Sequence, residues 1–399
     1  MNIIAQTGDL SRSADWSAQP YAGDPERLPE INGLRGIAIL MVLFCHLWEY
    51  LFYNNDNSLV TWNEGQASIL WWMATVLRQS WTGVNVFFVL SGFVLVRPYV
   101  IGTRRLETRK DVVDFYSRRA WRLIPLLSIS TVIFVALSYP NIGGWQCLKQ
   151  LCLTMTGFFV FTKQFYFPPV NVVLWSLGVE IWFSVFFPVV GFFLLRRKPL
   201  FWVVAFYFFA LLVRIVGAGI HFADLDNPHI NPVKDSIFGR IDDFVAGMGA
   251  CLIYYRSAQK SWFGSALMGL AGAGSVMVGF MSLDLASLHL LPHLTVAISN
   301  IPISLGVTLL LLYALFSPSS LWAWLLRFET LQVCGVMCYS IYVWHYNILH
   351  HLVSDRLDYR QVVIYLGLLF LVASVSWLLI ENANRKDIRS RLHGLTACR

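Results

Sequence analysis

The chain has 399 residues, of which 57% are hydrophobic and 13% charged, and its mean hydropathy is +0.58. That composition excludes a soluble globular protein and points to a polytopic membrane protein. A formal charge of +7 would suit a nucleic-acid partner, but the basic residues cluster in short loops between apolar stretches, so no nucleic acid is expected.

The first thirty residues are polar and carry no apolar signal-peptide core, so residues 1–30 read as a cytoplasmic tail. Apolar stretches then fall near 33–53, 84–100, 123–139, 172–195, 200–220, 241–255, 262–282, 297–316, 331–352 and 362–380. The expected architecture is therefore all-α, with about ten transmembrane helices. The segments 66–82 and 147–163 are shorter or interrupted and read as interfacial or re-entrant pieces. The transmembrane domain covers 31–382, and 383–399 reads as a basic cytoplasmic tail. About twenty of the Lys and Arg residues fall on the side that holds the N-terminus and about seven on the other, which places both termini in the cytoplasm. The seven Cys have no metal-ligand spacing, and no metal is expected. Cys334 and Cys338 read as packing residues, while Cys147 and Cys152 lie in an outer segment where a disulfide would be permitted.

Ionisable residues inside apolar spans are costly and mark candidate sites. Arg35 and His46 lie eleven residues apart in the first span. On a helix that is a turn of about 1100° and a rise of about 16 Å, so the two share one face. Arg35 would sit near the inner surface and His46 deeper in the bilayer. Counting rises along their own spans places Glu180, Arg214 and His345 at a similar depth, in the outer half. Plainer readings exist: His345 could be a packing residue, and Glu180 the structural partner of Arg214. At the inner side, Arg97, Arg118, Arg119 and Arg122 gather with Arg35. They could form a phosphate site, since Arg binds phosphate oxygens bidentately, or express ordinary positive-inside bias.

Five short runs occur in order: Asn32-Gly-Leu-Arg35-Gly with His46 beyond it, Gly83-Val-Asn-Val-Phe-Phe-Val-Leu-Ser91-Gly-Phe, Arg119-Ala-Trp-Arg122-Leu-Ile-Pro125, Trp175-Ser-Leu-Gly-Val-Glu180, and Tyr339-Ser-Ile-Tyr-Val-Trp-His345-Tyr. In these runs the chain resembles the acyltransferase-3 family of integral membrane acyltransferases, from about Ile31 to Asn382. The resemblance implies transfer of an acyl group, usually acetyl from acetyl-CoA, to a hydroxyl of a glycan or lipid-linked sugar, in a bacterial inner membrane. It also implies that Arg35 and His46 are essential. The chain departs from the family pattern at Asn32 and Asn85, where Asp is usual, and at Ile181-Trp-Phe-Ser184, where a second Glu is usual. It has no room for the hydrolase-like domain of some relatives, so a stand-alone membrane enzyme is expected.

The expected mechanism places the phosphates of CoA on Arg35, Arg119 and Arg122. His46 acts as general base on the acceptor hydroxyl, with Glu180 orienting it. His345 serves as oxyanion donor or as acid for the leaving thiolate. A covalent acyl-His46 intermediate is an open alternative, and Ser91 and Cys45 are other conceivable nucleophiles. The rival reading is a transporter or flippase of a polar or lipid-linked solute, which ten spans and a polar layer would also fit. It offers no reason for the five ordered runs.

Overall fold

The computed structural model describes residues 28–52, 75–196, 198–220, 230–256, 260–287, 290–292, 294–352 and 359–382. The expected tail segments 1–27 and 383–399 lie outside them. The described residues form an all-α protein with these helices: α1 Pro29–Phe52, α2 Gly83–Val100, α3 Arg109–Ile142, α4 Gly144–Thr156, α5 Leu174–Leu195, α6 Pro199–Gly219 and α7 Ile241–Arg256. They continue with α8 Ala266–Ser287, α9 Thr295–Phe316, α10 Leu321–Leu326, α11 Glu329–Val336, α12 Cys338–Leu352 and α13 Tyr359–Ser376.

Among the described residues, eight helices are long and apolar enough to cross a membrane. Two further stretches expected as spans fall short of that length as single helices. The stretch at 241–255 becomes the 16-residue α7, which opens on two fully buried aspartates, Asp242 and Asp243. The stretch at 331–352 is broken between α11 and α12 at Met337. The third span starts far earlier than expected, because α3 runs for 34 residues and carries Arg118, Arg119 and Arg122 on the helix itself. The interrupted piece near 147–163 is the short helix α4, followed by a single tight turn. Cys147 and Cys152 both carry free thiols.

The helices divide into an inner and an outer set. The outer set, α6, α8 and α13, buries little of itself. On α6, Leu200, Val204, Phe208, Leu212 and Val216 are exposed at four-residue intervals, which forms one apolar stripe. In water such a stripe would be a liability, whereas against lipid tails it is the favourable surface. The inner set meets through small residues. α2 and α7 approach so closely that a Cβ on Gly92 would overlap the Phe244 carbonyl and one on Gly247 the Val89 carbonyl. Without a hydrophobic force between helices in lipid, close backbone packing of this kind holds them together. The same device seats α1: Gly36 lies against the Leu331 carbonyl, and Gly335 against that of Asn32. Arg327 adds an ion pair to Glu30 at 2.6 Å. The glycines of the first run therefore fix α1, and with it Arg35 and His46, against α11.

Candidate active site

His46 lies in the last two turns of α1, with 18% of its side chain exposed. Its Nδ1 is 3.0 Å from Glu49 Oε2, one turn further on. A carboxylate can only accept, so Nδ1 carries a proton, and in the neutral ring Nε2 presents a lone pair. The His345 ring lies 5.2 Å away, centroid to centroid, at an interplanar angle of 37°. Tyr346 packs edge-on at the same distance.

His345, on α12, is fully buried. Its Nδ1 donates to the Tyr342 carbonyl at 2.7 Å, which fixes the tautomer, because a carbonyl oxygen also only accepts. Its Nε2 is buried with no hydrogen-bond partner. An unsatisfied buried acceptor costs free energy, and few native polar groups are left this way. Neighbouring contacts hold α12 in place. Asn171 donates to the Val343 carbonyl and Asn347 to that of Val170, each at 2.9 Å. The Tyr342 hydroxyl meets Ser176 at 2.5 Å. The segment leading into α5 thus clamps the helix that carries His345. Tyr50, beyond Glu49, meets His350 at 3.0 Å and ties the end of α1 to α12.

Glu180 is held elsewhere. Its carboxylate takes Arg119 at 2.8 Å and the Ser91 hydroxyl at 2.9 Å. Arg119 also donates to Ser184 at 3.0 Å. The expected pairing of Glu180 with His46 is therefore replaced by Glu49 on the imidazole and Arg119 on the Glu180 carboxylate. The reason is reach: α5 faces α3 and α2 at this level, whereas Glu49 is on the same face of the same helix as His46. Ser91, a conceivable nucleophile, spends its proton on that neutralised carboxylate.

Part of the expected arginine group lies together, while Arg97 donates to the Tyr255 hydroxyl at 2.7 Å. Arg35, Arg122 and Glu180 all lie close enough to Cys338 for their charges to act on it, together with Glu381. Arg122 is exposed, while Arg119 keeps only 11% exposure. Glu381, not singled out from the sequence, accepts from Ser340 at 2.5 Å and closes a π-helical turn, Trp377–Glu381. Such turns are rare and recur at functional sites. Arg35 and His46 thus mark two ends of one helix, a basic cluster at one and paired imidazoles at the other.

Arg214 belongs to neither end. It binds both oxygens of Asp242 at 2.8 Å and the carbonyls of Gly239 and Ala297. Lys234 pairs with Asp235 at 3.1 Å, and Arg240 with Asp235 at 2.5 Å. Arg240 also binds Asn300. Asn85 reaches Asp243 at 3.3 Å and Asn300 at 2.5 Å. Arg214 as partner of Glu180 is thereby corrected: Arg214 is matched to Asp242 and Glu180 to Arg119. The sequence signal was Arg240-Ile-Asp242-Asp243 at the mouth of a span, which resembles an ordinary loop end. Asn85 also explains one departure from the family pattern. Its amide donates to Asp243, where an Asp would bring a second carboxylate. Among the described residues, no group of three or more His, Cys, Asp or Glu could hold a metal ion.

The profile of one protein family, described as an acyltransferase domain, matches residues 28–381. The chain belongs to the acyltransferase-3 family. The match runs from the first turn of α1 to Glu381, so it takes in both ends of the site. Two curated relatives are the O-acetyltransferase OatA of Staphylococcus aureus, 25% identical over 91% of this chain and 58% of its own length, and the peptidoglycan O-acetyltransferase OatA of Listeria monocytogenes, 25% identical over 90% of this chain and 56% of its own. The chain thus spans somewhat over half the length of these relatives. No solved structure matches it. The acyltransferase-3 runs converge in space: Ser91 and Arg119, from the second and third, both donate to Glu180 of the fourth, and the first and fifth supply the facing histidines.

Proposed function

We propose that the chain is an O-acetyltransferase that moves an acetyl group from acetyl-CoA, bound at the cytoplasmic face of the bacterial inner membrane, to a hydroxyl of a cell-surface or lipid-linked glycan on the other side. The observation that carries this reading is the pair of facing imidazoles, each with its Nδ1 proton committed and its Nε2 lone pair available, built from the first and last runs of an acyltransferase-3 domain. The printed activity of the OatA relatives supports acetyl and glycan as the two substrates' classes. The basic bias of the loops supports cytoplasmic termini.

In this reading Arg35, Arg119 and Arg122 hold the phosphates of CoA, and the pantetheine arm extends along α1. The acceptor hydroxyl gives its proton to His46 Nε2 while its oxygen attacks the thioester carbonyl. The C–S bond breaks, and the CoA thiolate takes the proton back from the imidazolium. His345, with a lone pair rather than a proton on Nε2, holds the acceptor by accepting from it; oxyanion donation would require that ring to be protonated first. Glu180 serves the donor side by fixing Arg119.

The test supplies isotopically labelled acetyl-CoA to membranes carrying wild type or His46→Ala, with extracted glycan and lipid fractions as acceptors. Label in one fraction, with matching CoA release and only with wild type, is the expected result. Equal label with His46→Ala would remove the mechanism. No label and no release with wild type would remove the assignment of donor and acceptor.

A further inference from the structure

We infer that Glu49 is the positioning residue for His46, an assignment that rests on His46 being the base. Three observations lead to it. First, the Glu49 carboxylate is 3.0 Å from His46 Nδ1, and among the described residues His46 is its one ion-pair partner. Second, the helix position does not favour a carboxylate, although the side chain is half exposed. Glu49 stands in the last turn of α1, the end of a helix where the macrodipole disfavours negative charge, within an apolar sequence. Third, the imidazole is confined on its other sides by the His345 and Tyr346 rings, so the single bond to Glu49 decides which nitrogen faces the acceptor.

The role is that of the third group in a nucleophile–base–orienter arrangement. With Nδ1–H donated to the carboxylate, His46 can take the hydroxyl proton only on Nε2. The imidazolium that results keeps its charge beside a carboxylate until the proton passes to the CoA thiolate. Glu49 itself neither gains nor loses a proton. Glu49 follows His46 by three residues, so both project from one face, the spacing at which helix side chains meet.

Wild type, His46→Ala, Glu49→Gln and Glu49→Ala would be compared as full-length protein in membranes, with labelled acetyl-CoA and the extracted glycan–lipid fraction. Glu49→Gln and Glu49→Ala should each lose about 10- to 100-fold in kcat, less than the roughly 10²–10⁴ that a whole general base contributes. The KM for acetyl-CoA and the thermal midpoint in detergent should stay at wild-type values. Added formate should partly restore Glu49→Ala, and chloride at equal ionic strength should not. A wild-type kcat in both Glu49 variants would overturn the inference. So would a loss accompanied by a lowered thermal midpoint and no rescue by formate, since that is the signature of a purely structural pair. An active His46→Ala would instead overturn the base assignment itself, and an inactive His46→Ala beside normal Glu49 variants would remove Glu49 alone.

Discussion

Two polar regions are buried among these helices, and they differ in how their partners are supplied. Around Arg214, three cations (Arg214, Lys234 and Arg240) face three carboxylates (Asp235, Asp242 and Asp243), and two asparagines bridge them. Charges taken out of water are tolerated when paired and hydrogen-bonded, and here the pairing is internal. At the histidine pair the balance is left open. One imidazole keeps a buried lone pair without a partner, and the other is reached from outside through its partly exposed Glu49. In the Arg214 set the charges balance, with Arg214 Nη2 and Asn85 Oδ1 left without a hydrogen-bond partner among the described residues; at the histidine pair the atom left without one, His345 Nε2, lies on a ring 5.2 Å from that of His46.

That contrast predicts opposite phenotypes. The largest effect should come from His46→Ala: acyl transfer should fall by roughly 10²–10⁴ while the thermal midpoint in detergent stays unchanged. Normal turnover would dissolve the distinction between the two regions. Arg214→Met should do the reverse, costing about 3–5 kcal/mol because Asp242 is left buried without its cation. Chemical denaturation would read that loss, and kcat per folded molecule should be preserved. Asn85→Asp should have the same character at smaller scale, about 1–3 kcal/mol, because it removes a donor to Asp243 and adds a like charge; a stabilised variant would refute the account of this position. The smallest effect should be at the exposed Arg122. Its replacement by Ala should raise the KM for acetyl-CoA about fivefold, equivalent to about 1 kcal/mol for a solvent-screened contact, with kcat retained. Arg119→Ala should be worse than Arg122→Ala on both counts, since it also strips Glu180 of its counter-ion.

Much of the site was legible because membrane interiors penalise charge. Arg35, His46, Glu180 and His345 each stand out against an apolar background, and the eleven-residue spacing on one helix put the first two on a common face. Glu49 escaped because it sits at the helix end, where a carboxylate looks like a boundary residue. Asp242 and Asp243 escaped for the same reason. Partner choice was the other gap: which carboxylate meets which cation depends on how helices far apart in sequence are rotated against each other, and Arg214 with Asp242, or Arg119 with Glu180, can be read only from packing.

The sequence by itself determined the fold class, the approximate positions of the apolar segments, the family and the polar residues worth suspecting, because hydropathy and local spacing act along a single chain. The tertiary structure decided the break between α11 and α12, the true length of α3, the two histidines face to face, and the replacement of Glu180 by Glu49 beside His46. These depend on contacts between helices, where backbones at Gly36, Gly92, Gly247 and Gly335 come close enough to set each helix's rotation, and no pattern within one segment encodes which neighbour it will meet.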